Sequence, residues 1–222
     1  MKTLLAWSSG KDSAWTLHVL RRQNIAVSAL LTTLNEAADR VAMHGVRRTL
    51  LEAQADSAGI PLWQVPLPWP CTNDEYEARM AAACRRAVSE GFDSMAFGDL
   101  FLRDVRAYRE RQLAGSGLTP FFPLWEIPTA QLARDMIAGG LRARLSCIDS
   151  RQLDPVFAGR EFDAALLADL PPTADPCGEN GEFHTFAYAG PMFGSPIPID
   201  TGELHTAETF VYTDLLCPES SH

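Results

Sequence analysis

The chain has 222 residues, 46% of them hydrophobic and 21% charged, a composition that excludes a disordered protein. No apolar run approaches the roughly 20 residues needed to cross a bilayer. The net charge of −9 is uneven: residues 1–150 hold 17 basic and 16 acidic side chains and residues 151–222 hold 2 and 12, so the last third lacks a surface for gripping a nucleic-acid backbone.

Residues 2–7 read as a short buried strand, Ser8-Ser9-Gly10 as a turn, and residues 11–23 as a helix with Trp15, Leu17, Val19 and Leu20 apolar. Residues 25–34 form a near-continuous apolar run, the pattern of a parallel strand buried on both faces. A helix over 45–58 stops at Gly59, and a third strand covers 61–67. A Pro/Trp loop runs through Cys71; Asn73 or Asp74 then caps a helix to Glu90, stopped by Gly91. Residues 92–98 are a fourth strand, 103–112 a basic segment, 114–117 glycine-rich, and 119–124 a fifth strand. Strands alternating with helices predict an α/β fold, a parallel sheet covered on both faces.

After about residue 127 the pattern changes. Residues 129–138 look helical, 142–148 look like a strand, and short β-like pieces follow at 183–189, 197–199 and 208–212. This predicts a smaller α+β lobe over 128–222 behind a first domain at 1–127. Cys71, Cys84, Cys147, Cys177 and Cys217 have no CxxC or Cys/His ligand spacing, which argues for reduced thiols in a cytoplasmic protein and against zinc.

Chemistry is concentrated in the first strand–turn–helix, Ser8-Ser9-Gly10-Lys11-Asp12-Ser13. A tight turn at a helix N-terminus exposes backbone N–H groups without intrahelical partners, which is a site for phosphate. Gly10 permits close approach, Ser8, Ser9 and Ser13 offer hydroxyls, Lys11 supplies a mobile positive charge, and Asp12 suits Mg²⁺. Lys11 is one of only two lysines among 19 basic residues. The segment is not a Walker A loop, because Leu5 and Asp12 stand where that motif needs glycine and Ser or Thr.

Asp99 falls at the C-terminal end of a strand, where open α/β sheets bind ligands, or serves as a helix cap. Arg103, Arg106 and Arg109 recur at three-residue spacing, either as anion contacts or as a solvated face paired with Asp104 and Glu110. Glu179 and Glu182 flank a glycine in Gly178-Glu179-Asn180-Gly181-Glu182-Phe183; they suit Mg²⁺, a cationic group or incoming ammonia. His44 and His184 are acid–base candidates, since free histidine titrates near 6.5, or structural residues. Trp63, Trp69 and Trp125 read as core or loop anchors, with Trp125, after a proline turn, alternatively a wall of the nucleotide cleft.

The first loop resembles the SGGxDS pyrophosphate loop of the ATP pyrophosphatases, adenine nucleotide alpha hydrolase-like proteins, with Ser9 where glycine is usual. Met43-His44-Gly45, Gly98-Asp99-Leu100, Pro123-Leu124-Trp125, the segment at 178–183 and Gly190-Pro191-Met192-Phe193 follow in order. Together with the loop they resemble the diphthine–ammonia ligase family over nearly the whole chain. His184 departs from that pattern, in which an acidic residue precedes threonine.

The resemblance implies a Rossmann-like ATP domain and ATP-dependent amidation of a carboxylate through its adenylate, with ATP, Mg²⁺ and ammonia. Lys11, Asp12, Asp99, Glu179 and Glu182 are then the catalytic candidates. Residues Ser8 through Ser13 and Gly98 bind nucleotide, and Arg103, Arg106, Glu179, Glu182 and His184 meet substrate. The carboxylate is protein-borne diphthine or a small molecule, and homo-oligomerisation is left open. Two alternatives keep the ATP site: sulfur transfer to RNA, and an ATP-binding sensor without ligase activity.

Overall fold

The structure is a computed structural model and describes residues 2–218. In β1 (Lys2–Ala6) the central Thr3, Leu4 and Leu5 are fully buried, and neighbouring side chains leave a strand on opposite faces. Leu5 joins Leu30 in one apolar cluster, while Leu4 joins Leu31 in another, so both faces need covering. On Leu5's face lie α1 (Lys11–Arg22) and α2 (Arg48–Ala58), contributing Leu17, Leu20, Leu50 and Leu51. On Leu4's face lie α3 (Asn73–Ser89), with Met80, Cys84 and Ala87, and α4 (Arg103–Leu113), with Leu113.

Five parallel strands run in the order β4 (Leu62–Leu67), β2 (Ala26–Asn35), β1, β5 (Ser94–Ala96) and β6 (Thr119–Phe121). Beyond the end of β1, the short β3 (Arg40–Val41) pairs antiparallel with Leu34 and Asn35 of β2. Gly59 ends α2 with φ 67°, as its position suggested. The cap of α3 is Thr72 rather than Asn73 or Asp74. Its side chain accepts from Glu75 N–H while Glu75 reaches back to Thr72 N–H, a closed capping box. The basic segment after residue 102 is α4.

The rest of the chain adds α5 (Thr129–Ala138) and an antiparallel sheet. Its order is β8 (Phe183–Ala189), β7 (Arg142–Asp149), β10 (Phe210–Leu216) and β9 (Asp200–Ala207). A 3-10 turn at Pro155–Phe157 and α6 (Ala164–Asp169) lie between β7 and β8. Two expected pieces differ. Residues 197–199 are not a strand, because Pro196 and Pro198 remove the N–H groups a ladder needs. Of residues 208–212 only the first two form the turn between β9 and β10, with Glu208 at φ 55°, and 210–212 begin β10 as expected.

This second sheet packs against the first half without a break. Phe183, Phe186, Met192 and Ile197 belong to the same apolar cluster as Leu17 and Leu50. Polar ties cross the same boundary: Gly194 N–H donates to Ser57 O at 2.7 Å, and Arg40 and Arg47 both hold Asp214. No helix among the described residues is long and apolar enough to cross a membrane.

Candidate active site

From β1 the chain builds outward through β2 to β4, then returns to add β5 and β6 on the other side of β1. The crevice between the C-terminal ends of β1 and β5 is therefore the switch point of the sheet, where open α/β folds bind ligands. A cavity of about 560 Å³ opens there. Ser8, Asp12 and Ser13 enter it from β1 and α1, Gly98 and Asp99 from the end of β5, and Glu179, His184 and Thr185 from the second half.

The turn is built by backbone strain and close contact. Ser9 has φ 69°, a left-handed conformation that serine adopts only when held there. Its carbonyl accepts from Ala187 N–H at 3.0 Å and from Gln54 Nε2 at 2.9 Å. Its hydroxyl is buried, has no hydrogen-bond partner among the described residues and does not line the cavity. Ser9 thus acts through its backbone, correcting the expectation of a third serine hydroxyl for phosphate. Gly10 is needed for space, since a Cβ there would lie 2.7 Å from His44 Cε1. A Cβ on Gly98 would lie 3.1 Å from Asp12 C and Ser13 N, so a side chain there would push the start of α1 away by a few tenths of an ångström. The Ser8 and Ser13 hydroxyls, 3.3 Å apart, both face the cavity. Thr185 Oγ1 takes the first helix N–H, that of Lys11, at 3.0 Å.

Lys11 is buried rather than mobile. Its ammonium donates to both Asp12 oxygens, at 3.0 and 2.8 Å, and to the Cys177 carbonyl, and sits 5.5 Å from each of the Phe162 and Phe183 rings. Burial pulls its pKa down, but Asp12, Cys177 and Glu179 outweigh burial and the group stays charged. Burial raises the Asp12 carboxyl, with Lys11 opposing. Asp99 is raised in the same way, with Arg109 opposing. Arg109 Nε lies 3.7 Å from Asp99 Oδ2, and neither atom has a hydrogen-bond partner. Burial pushes Glu179 up to about 7, against Leu100 N–H, which donates to its Oε1 at 2.8 Å.

The two histidine rings pack at a tilt of 39° with their centroids 4.7 Å apart. Burial holds His44 down to about 3 and His184 down to about 4, so both are neutral at pH 7. His44 Nδ1 lies 3.0 Å from Thr185 O, which places its proton on that nitrogen. Leu31, Val41, Met95 and Phe97 give the cavity part of an apolar lining.

Several expected site residues stand elsewhere. Glu182 is 2% exposed and folds its own loop, accepting from the N–H groups of Asp175 and Asn180. Of the two glutamates only Glu179 faces the cavity. Arg103 is solvated beside Glu126, and Arg106 pairs with Glu110 and stacks on Phe122 and Trp125. Trp125 lies in that stack and not on the cleft. Arg109 is the arginine of this series that reaches the cavity. Thr185 was not among the sequence-derived candidates; it is a polar side chain 2% exposed within β8, and nothing in its sequence spacing marks it.

Residues 1–120 match the family profile described as "Diphthamide synthase N-terminal domain" and residues 128–215 the profile "Diphthamide synthase C-terminal domain". The chain belongs to the diphthamide synthase family. Curated relatives named diphthine–ammonia ligase share 23% identity in Homo sapiens, over 95% of this chain and 88% of that protein. In Danio rerio they share 25%, over 91% and 89%. Among solved structures, a predicted subunit of tRNA methyltransferase from Methanocaldococcus jannaschii is 15% identical, with TM-score 0.41 over 66% of this chain and 78% of that one. A U34-tRNA thiolase from Methanococcus maripaludis is 16% identical, with TM-score 0.39 over 62% and 56%.

Proposed function

We propose that this protein is an ATP-dependent amide ligase that activates a carboxylate as its adenylate and amidates it with ammonia. Residues 1–127 would hold ATP and residues from 128 onward the carboxylate, either protein-borne diphthine or a small molecule. The observation that carries the reading is that the N-terminus of α1, Glu179 and Asp99 line one cavity at the switch point. The reading puts the enzyme in the cytoplasm.

A carboxylate is a poor acyl electrophile because ammonia would have to expel oxide. Attack of its oxygen on the α-phosphorus, with pyrophosphate leaving, makes an acyl group that expels AMP instead. The N–H groups of Asp12 and Ser13, the hydroxyls of Ser8 and Ser13, and the Lys11 ammonium would stabilise charge on the departing pyrophosphate, the electrostatic part of catalysis. Leu31, Val41 and Phe97 would hold the adenine, fixing the α-phosphorus in line with the carboxylate. Glu179 is suited to take a proton as ammonia adds, since its pKa lies near the working pH.

Among the described residues no group of three or more His, Cys, Asp or Glu is arranged to hold a metal by itself. Mg²⁺ is commonly held by one or two carboxylates completed by substrate phosphates. Asp12 and Asp99 fit that role, for Asp99 Oδ2 is buried without a hydrogen-bond partner and the two carboxylates repel each other. Such an ion would offset the negative charge of the phosphates.

The test is a product analysis with ATP, Mg²⁺, ammonium and a diphthine-bearing elongation factor or a metabolite extract, with Asp12→Ala as control. Ammonium-dependent, mutant-sensitive AMP and pyrophosphate are expected. ADP and phosphate would refute adenylation, and bound but unchanged ATP with every carboxylate would favour a binding module.

A further inference from the structure

Gln54 occupies a position on α2 whose neighbours are apolar: Leu50, Leu51, Ala55 and Ala58 are buried around it, and Gln54 is itself fully buried. A buried amide destabilises unless its polar atoms find partners. This one satisfies both ends. Oε1 accepts from Trp7 Nε1 at 2.9 Å, and Nε2 donates to Ser9 O at 2.9 Å and Ala187 O at 2.6 Å. An indole N–H only donates and carbonyls only accept, so these partners fix the orientation of the amide. One side chain thereby joins the end of β1, the turn, and β8.

Ser9 needs that hold. Its left-handed backbone is disfavoured for any residue with a Cβ, and its unpartnered hydroxyl gives nothing back. What secures the turn is the Ser9 carbonyl, gripped by Gln54 Nε2 and Ala187 N–H. In a trans peptide the C=O and the following N–H point in opposite directions. Fixing Ser9 O toward Gln54 therefore aims Gly10 N–H the other way, to Ser8 Oγ at 3.3 Å, and Ser8 lines the cavity. Gln54 does not line the cavity itself.

We infer that Gln54 is a positioning residue for anion binding: its amide clamps the Ser9–Gly10 peptide so that the turn presents its donors to phosphate. This rests on the reading of the turn as the pyrophosphate site. It makes a specific claim, because glycine at position 9 adopts the left-handed conformation freely and should need the clamp less.

The experiment is calorimetric titration of Mg-ATP and of pyrophosphate into the full chain, with melting temperature recorded for each variant. Gln54→Met keeps the length and loses the donors; it is expected to weaken both ligands about tenfold, or about 1.4 kcal/mol. Adding Ser9→Gly to it should recover binding to within about threefold of the wild type, while adding Ser9→Ala, which keeps the Cβ, should not. If Gln54→Met fails to fold, Gln54→Asn replaces it, keeping a polar amide but drawing its NH2 group back by one methylene from the two carbonyls. Wild-type affinity in the Gln54 variant with only a lowered melting temperature would overturn the inference, as would equal rescue by glycine and alanine. A wild-type chain that binds neither ligand would overturn the reading of the turn and this inference with it.

Discussion

The ammonium of Lys11 donates to the carbonyl of Cys177, 166 residues further along the chain, and the same nitrogen is chelated by Asp12. The charge of the turn and the loop that carries Glu179 are thus one unit before any ligand arrives. Lys11→Met keeps the apolar stem against Phe162 and Phe183 and removes only the charge. ATP cleavage should fall about 10²–10³-fold, the effect of deleting one preorganised donor at developing charge. Lys11→Arg should not rescue it, because a planar guanidinium does not replace a compact ammonium between two rings. Single-turnover release of pyrophosphate measures this, and a Lys11→Met rate within a few-fold of wild type would remove Lys11 from the chemistry.

Glu179 should make both stability and rate depend on pH. Burial raises its pKa from 4.5 to about 7. Between those values the folded protein keeps a proton that the unfolded chain has released. Its contribution to stability therefore declines as pH rises from about 4.5 to about 7 and is constant above. Glu179→Gln removes that segment of the curve in urea titrations. It should also lower amidation about 10²–10⁴-fold and abolish the rise in rate through pH 7 expected of a base. A variant that keeps the wild-type profile would mean the proton goes elsewhere.

The frame of the fold was readable because its signals are local. The apolar run at 25–34, Gly59 and Gly91 mark strand and helix ends without knowledge of distant residues. The loop at 8–13 was readable for the same reason. Glu182 was misjudged because a glycine-rich loop has no periodicity from which to tell an inward carboxylate from an outward one. The arginine series failed differently. Residues three apart on a helix drift by about 60° at each step, so Arg103 and Arg109 end up about 120° apart and only one can face the cleft. Thr185 and Gln54 act on the turn from more than 40 residues away, and no spacing reveals such contacts.

Ser9→Gly should stabilise the protein. The left-handed backbone disfavours a Cβ by about 1–2 kcal/mol, and glycine loses part of that gain through its more flexible unfolded chain. A net gain of about 1 kcal/mol is expected, read as a higher urea midpoint with an unchanged slope. Deletion of the serine hydroxyl does not offset it, since that oxygen has no hydrogen-bond partner. A lower midpoint would show that the hydroxyl has a role the turn depends on.

Gly98→Ala tests whether the approach of β5 to α1 matters for function rather than for folding. Its backbone is not left-handed, so alanine introduces no strain of its own. The added methyl would instead meet Asp12 C, Ser13 N and Asp12 O at 3.1–3.2 Å, and all three are backbone atoms that move only if the end of the helix moves. Displacing that end shifts the N–H groups of Asp12 and Ser13 and the Asp99 carboxylate relative to one another. The contacts require a shift of a few tenths of an ångström, a fraction of the roughly 1 Å misplacement that can cost about 10²-fold, so kcat for AMP formation should fall about three- to tenfold. The melting temperature should change little by comparison, because the contact lies at the rim of the sheet and the apolar clusters stay intact. Wild-type kcat in this variant would show that the two strand ends bind their ligand independently.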